Sequence, residues 1–119
     1  MRVLPTKVHG AIDYLWGLLL IASPGVLGFS TDRAAFWVAL IFGGGAIAYS
    51  LVTDYELGLV RLVPVPAHLL LDAVAGVALA LTPLAVRLAA PAGTVFVAFG
   101  LFAVAASLVT RTRPGPQPT

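Results

Sequence analysis

The chain contains two histidines, and each is followed four residues later by an aspartate: His9 by Asp13, and His68 by Asp72. On an α-helix, side chains four residues apart lie on one face, one turn from each other. Two imidazoles and two carboxylates facing a common point would supply an N2O2 ligand set suited to zinc or another divalent ion. The same residues would also serve as a structural hydrogen-bonded network, or as a proton, haem or quinone site.

Several other side chains are candidates to join this site. In the structural alternative, each aspartate accepts a hydrogen bond from its own histidine or from Tyr14, Tyr49 or Tyr55. In the metal alternative, Asp54 and Glu56 are candidates to add a carboxylate. Haem is the less favoured cofactor, because two carboxylates fit poorly around an apolar porphyrin.

The composition indicates that lipid is the solvent for whatever elements carry these residues. Of the 119 residues, 60% are hydrophobic and only 10% are charged, whereas soluble domains have about 25% charged residues. The formal net charge of +2 is too small for a surface that tracks nucleic-acid phosphates. With no cysteine, disulfides and thiolate metal sites are excluded.

Four apolar stretches are close to the length of about 20 residues that a helix needs to cross the hydrocarbon region. They are residues 9–29, 34–53, 66–86 and 92–110. The sequence therefore predicts an all-α fold, a bundle of four transmembrane helices in a single membrane domain that spans residues 1–119.

Positive charge predicts the orientation of this bundle, since Lys and Arg are retained on the cytoplasmic side. The side that holds both termini and the central linker has five of the seven Lys and Arg residues, and the opposite side has Arg33 and Arg87. Both termini are therefore predicted to be cytoplasmic. The proline-rich segment 111–119 is predicted to be a disordered tail.

The chain also shows an internal duplication. At an offset of 59 residues, His9 aligns with His68, Asp13 with Asp72, and Pro24 with Pro83. At an offset of 57, the run 50–53 (Ser-Leu-Val-Thr) recurs at 107–110. We predict two parallel helical-hairpin repeats, about 7–56 and 66–110, with His9 and His68 at a similar depth on one side of the membrane.

Small residues and prolines indicate how the helices pack and end. In lipid, close approach of helix backbones supplies much of the packing energy. The run Gly43-Gly44-Gly45, together with Gly17, Gly76 and Gly100, is therefore predicted to form helix-packing seams. Pro24 and Pro83 are predicted to stop or kink their helices.

The motifs that carry a family resemblance are 9–13 (His-Gly-Ala-Ile-Asp), 16–24 with the following Leu-Gly-Phe at 27–29, and 49–58. They resemble the SPW-repeat family of small bacterial membrane proteins, over residues 7 to about 110. Strict Ser-Pro-Trp is missing here, since Gly25 follows Ser23-Pro24 and Leu84 follows Thr82-Pro83. The resemblance implies a duplicated protein with four membrane spans, and it brings no established activity.

From these observations we expect a small multi-pass protein of the bacterial inner membrane, acting as a structural or interaction module with a cytoplasmic-side His/Asp cluster. The alternative is a protein that binds a metal or a redox cofactor through the two His-x3-Asp motifs. A metal-dependent membrane hydrolase is a third hypothesis, although the sequence has no recognised enzyme motif. The expected partners are the lipid bilayer and either a second copy of the chain or another membrane protein, with no nucleic acid.

Overall fold

The computed structural model describes residues 2–113. It contains four α-helices: α1 (Thr6–Val26), α2 (Arg33–Leu51), α3 (Val65–Ala85) and α4 (Ala92–Val109). Within residues 2–113 there is no β-strand, and β-pairing is limited to two isolated bridges. The prediction of an all-α fold with four helices is therefore confirmed.

Three of the four helices, α2, α3 and α4, are long and apolar enough to cross a membrane. Helix α1 is as long as α3, at 21 residues, but its sequence is more polar, with Lys7 beside His9 in the first turns. The outer faces of the helices are apolar: Leu18, Val74 and Leu101 are each exposed in the middle third of a helix. Such continuous exposed apolar surface is typical of helices that face lipid.

Matching residues begin and end α1 and α3. Pro5 and Pro64 precede these helices with nearly identical extended backbone angles. Both helices continue for two residues beyond their internal prolines, Pro24 and Pro83, so the prolines lie within the last turn. Helix α2 begins differently, because the Asp32 carboxylate accepts a hydrogen bond from the Ala35 N–H at 3.1 Å.

The closest helix packing is within each hairpin, α1 against α2 and α3 against α4. A methyl group added to Gly43 would lie 2.7 Å from the carbonyl oxygen of Gly17, and one added to Gly76 would lie 2.6 Å from that of Gly100. The backbones therefore approach each other at two glycine pairs, as the seam prediction requires. Methyl groups on Gly44 and Gly45 would meet nothing within 4 Å, so these two glycines lie outside the seam.

The two hairpins meet in a core at the end of the molecule away from the histidines. Leu20 and Leu79 are fully buried there, and the ring of Phe29 packs edge-on against that of Phe96, with 6.0 Å between the ring centroids. Nearer the middle, the Trp16 indole N–H donates a hydrogen bond to the Phe99 carbonyl at 3.0 Å. This bond joins α1 to α4.

At the other end, the segment before each hairpin pairs with the segment after the other hairpin. Leu4 forms an isolated bridge with Thr110, and Thr53 forms one with Val63. Arg2 adds two hydrogen bonds to the last carbonyls of the α4 region, to Ser107 at 2.8 Å and to Thr110 at 2.9 Å. These contacts hold the four helix ends around the buried histidines.

Candidate functional site

The four predicted site residues come together in one buried cluster. His9 and His68 are the fourth residues of α1 and α3, and Asp13 and Asp72 are the eighth residues of the same helices. All four are buried, and one ligand atom from each lies within 4.8 Å of the others. We call these four residues the His–Asp cluster.

Within the His–Asp cluster, each histidine is closer to the aspartate of the other helix than to its own. His9 Nε2 lies 2.7 Å from an Asp72 carboxylate oxygen and 3.1 Å from Asp13. His68 Nε2 lies 2.8 Å from Asp13 and 3.2 Å from Asp72. The predicted contact within each helix is present, but the shortest contacts run between the two hairpins.

Two threonines determine which ring nitrogen of each histidine carries a proton. The Thr110 hydroxyl lies 2.7 Å from His9 Nδ1, and it donates its only proton to the Ala106 carbonyl at 2.6 Å. Likewise, the Thr53 hydroxyl lies 2.6 Å from His68 Nδ1 and donates to the Tyr49 carbonyl at 2.6 Å. Each hydroxyl can therefore only accept from its histidine, so both Nδ1 atoms bear hydrogen.

Two tyrosines complete the shell around the carboxylates. The Tyr49 hydroxyl donates to Asp72, and the Tyr55 hydroxyl donates to Asp13 at 2.9 Å. Tyr55 belongs to the linker between α2 and α3, where burial and the nearby Asp13 carboxylate raise the pKa of its hydroxyl, so this donor keeps its proton. Tyr14, the third candidate, donates to the Leu57 carbonyl at 2.8 Å instead.

The two fixed tautomers leave Nε2 of each histidine facing carboxylate oxygens. Because Nε2 and a carboxylate oxygen are both acceptors when deprotonated, each of the two short Nε2–oxygen contacts needs a proton between its atoms. With two such protons, the cluster contains two imidazoliums and two carboxylates, and its net charge is zero. A neutral, hydrogen-bonded set of this kind can be buried at a much lower cost than isolated charges.

The same arrangement has the chemistry of a divalent metal site. A tetrahedral ion with bonds of about 2.0–2.1 Å separates its ligand atoms by about 3.3 Å. The four nitrogen–oxygen separations in the cluster are 2.7–3.2 Å, and one ligand atom of each residue lies within 4.8 Å of the others. The four side chains are therefore close enough to surround one ion, with some ligand atoms moving apart and others moving closer. A porphyrin between the histidines would instead have to displace both carboxylates.

The two further carboxylates that the sequence suggested lie elsewhere. Asp54 is exposed, and the structure brings its backbone N–H, rather than its side chain, into a hydrogen bond with Val63. A Glu56 carboxylate oxygen accepts a hydrogen bond from the Thr6 hydroxyl at 2.6 Å. Among residues 2–113, the group of residues close enough to hold an ion consists of the His–Asp cluster alone.

Sequence reasoning did not assign a role to Thr53 and Thr110. Both are fully buried, and each bonds a histidine of the other hairpin. The available signal was their position, because they close the matched runs 50–53 and 107–110. A buried hydroxyl that recurs at nearly the same offset as a buried histidine, 57 against 59 residues, is a candidate partner for that histidine.

Comparison with known proteins gives a family. The family model of the SPW repeat domain matches residues 7–110. No significant match is found among the curated proteins or among the solved structures. The apolar helices and the family together indicate a membrane protein. Because the match covers most of the sequence and includes all eight residues of the cluster and its hydrogen-bonding shell, this chain belongs to the SPW repeat domain family.

Proposed function

We propose that the protein is a small multi-pass module of the bacterial inner membrane in which the His–Asp cluster joins two repeated hairpins. The observation that carries this proposal is that the shortest bond of each histidine to an aspartate runs to the other hairpin. Both threonine partners also lie across the same boundary. The module has a structural or interaction role, and its partners are the bilayer and either a second copy or another membrane protein.

Matched positions that flank the two hairpins support a duplication with repeats of about 7–56 and 66–110. Leu4 and Val63 are 59 residues apart, and their bridge partners Thr110 and Thr53 are 57 apart. These are the two offsets that align the sequence with itself. The histidine rings lie 5.6 Å apart, which agrees with two helices that start on the same side of the membrane.

The structural role predicts strong energetic coupling between the two hairpins. Removing one partner of a buried ion pair leaves the other uncompensated and costs about 3–5 kcal/mol. We therefore expect His9→Gln and Asp72→Asn each to lower the free energy of unfolding, and the double variant to lose much less than the sum of the two. Reversible unfolding in mixed detergent micelles containing chelator measures all four corners of this cycle.

A matched cycle provides the control. Asp32 also accepts a hydrogen bond, but it lies at the opposite end of the molecule, at the start of α2. The His9→Gln and Asp32→Asn effects are expected to add within about 0.5 kcal/mol. Additivity of His9→Gln with Asp72→Asn would contradict a joining role for the cluster.

Binding of one divalent transition metal such as zinc is a second candidate function, favoured by the fixed tautomers. With hydrogen on both Nδ1 atoms, both Nε2 atoms are directed at the carboxylates and are available as ligands. A divalent cation would replace the two protons between Nε2 and the carboxylates, and the cluster would stay neutral. The threonines would then orient the ligating rings, as outer-shell partners do in metal sites.

Titration with Co²⁺ tests this candidate. After chelator treatment, the purified protein should bind one Co²⁺ per chain, develop the visible absorption of a tetrahedral ion, and release about two protons per ion. Elemental analysis of protein purified without chelator should find stoichiometric metal. His68→Gln should abolish the absorption, whereas Asp54→Asn, which changes an exposed acid, should not. The absence of saturable binding would contradict a metal site, and a Soret band would favour haem instead.

A further inference from the structure

A cavity of about 190 Å³ lies against the His–Asp cluster, between the two hairpins. Asp13 and Asp72 line one end of it, and their side chains retain 10% and 7% of their exposure. The cavity extends along α1 as far as Trp16, and its other walls are largely apolar, with Phe42 and Phe102 among them. An apolar cavity of about 150 Å³ holds a benzene ring, so this one has room for a small substituted ring.

The polar end of the cavity has acceptor capacity but no free donor. Each carboxylate has about four acceptor positions, and three on each are used by a histidine of each helix and one tyrosine. The Tyr49 proton is already donated to Asp72, and both His9 nitrogens are engaged. A group that enters the cavity can therefore donate a hydrogen bond to a carboxylate, whereas an anion or a lone acceptor finds no partner.

A second, purely apolar groove of about 340 Å³ runs between α1 and α4 beside this cavity. The two share Ile12, Trp16 and Phe102 in their walls. Beyond the shared residues, the groove passes Leu15 and Leu19 on α1. A cavity with a polar end and an apolar groove along the helices therefore lie on adjacent sides of the same three side chains.

We propose that this cavity and groove bind a membrane-soluble amphipathic molecule with a neutral hydroxylated aromatic ring and a single apolar chain. The ring lies among the aromatic walls, and its hydroxyl donates to Asp13 or Asp72, in positions that other donors leave open. The chain occupies the groove between α1 and α4. A neutral ring is favoured over an amine because the cluster is neutral overall and a buried charge would have no counter-ion.

Tryptophan fluorescence gives a direct test in detergent micelles. Trp37 is half exposed on α2 and lines neither cavity, so Trp37→Phe leaves Trp16 as the reporter. The probe is 2-bromo-4-dodecylphenol, whose bromine quenches a tryptophan that it contacts. Quenching should saturate near one probe per chain. The methyl ether of the same probe keeps the acceptor but loses the donor, and should bind about fivefold to tenfold more weakly.

Two adjacent glycines provide matched variants in the Trp37→Phe background. Gly45 lines the cavity and Gly44 does not, and a Cβ at either position would meet nothing within 4 Å. Gly45→Phe should weaken probe binding about tenfold or more by filling the cavity, and Gly44→Phe should change it less than twofold. Neither glycine belongs to the His–Asp cluster, so these variants leave unchanged the residues that the coupling and metal experiments alter.

Three results would overturn the proposal: quenching that never saturates, equal affinity for the phenol and its methyl ether, or unchanged affinity in a folded Gly45→Phe variant. The first result means partition of the probe into the micelle, and the second means that the carboxylates do not contact the hydroxyl. If Gly45→Phe does not fold, the comparison of phenol and ether on the parent protein decides the matter alone.

Discussion

Within the described residues, the ring nitrogens of each histidine face three polar side chains, and only one of these lies on the same helix as the histidine. For His9 these are Thr110, Asp72 and, at a longer distance, Asp13. The threonine hydroxyl bonds Nδ1 and so orients the imidazole ring. The Nε2 atom of the same ring faces the two carboxylates. The residue of greatest interest is therefore the threonine, because it determines the tautomer while it touches neither carboxylate.

We expect Thr53→Val to destabilise the protein by about 1–3 kcal/mol, because it leaves the buried Nδ1–H of His68 without an acceptor. Thr82→Val is the matched control. Thr82 is half-buried, and its hydroxyl donates a solvent-facing hydrogen bond to the Ala78 carbonyl of its own helix, so its loss should cost less than about 0.5 kcal/mol. Unfolding in mixed micelles measures both values, and equal effects would contradict the role assigned to Thr53.

At the scale of elements, the hairpins are held together by close backbone approach rather than by large side chains. Gly17 meets Gly43 in the first hairpin, and Gly76 meets Gly100 in the second. At each of the four glycines, a new Cβ would lie within 2.8 Å of the backbone carbonyl oxygen of the partner glycine, which cannot rotate away. The position of the helices is consequently fixed within a few tenths of an ångström at two equivalent points.

This packing predicts that Gly43→Ala destabilises the protein by about 1–3 kcal/mol, since the added methyl would lie too close to the Gly17 carbonyl and force α1 and α2 apart. Gly44→Ala, one residue further on, adds a methyl where nothing lies within 4 Å and should be neutral or stabilising by up to about 1 kcal/mol. The same unfolding assay compares the two. A cost for Gly44→Ala equal to that for Gly43→Ala would contradict the glycine seam.

For the whole molecule, a charge-poor exterior surrounds a polar interior near one end. The longest dimension is 49 Å, which exceeds the thickness of about 30 Å of the hydrocarbon core. The segments before α1 and after α4 lie side by side, joined by the Leu4 carbonyl and the Arg111 N–H at 2.8 Å. The predicted disordered tail, 111–119, falls for the most part outside the described residues, which end at 113.

The orientation of the chain remains a prediction that fusion proteins test. Five of seven Lys and Arg residues are on the side of the termini, so alkaline phosphatase fused after Thr119 should be inactive and a fluorescent protein fused there should fluoresce. Phosphatase inserted at Gly28, between α1 and α2, should be active. Phosphatase activity at Thr119 would reverse the proposed topology.

Much of this architecture was readable from sequence because it depends on local composition. Apolar length predicted four helices, and all four lie within a few residues of the predicted ranges. Periodicity placed His9 and Asp13 on one helix face, and the offset of 59 placed His68 and Asp72 in the same register. In lipid, every backbone polar group must be hydrogen-bonded within its own helix. The length and spacing of the apolar stretches therefore strongly constrain where the helices begin and end.

Only the tertiary structure decided which partners these residues take. In the structural alternative, the sequence paired each aspartate with the histidine of its own helix or with a tyrosine, whereas the fold brings each histidine closer to the aspartate of the other hairpin. The fold also places the hydroxyls of Thr53 and Thr110 against the histidine rings. It keeps the side chains of Asp54 and Glu56 away from those rings. Gly44 and Gly45 lie outside the glycine seam. These outcomes depend on the rotation and separation of whole helices, which fix contacts to within tenths of an ångström and which no local pattern encodes.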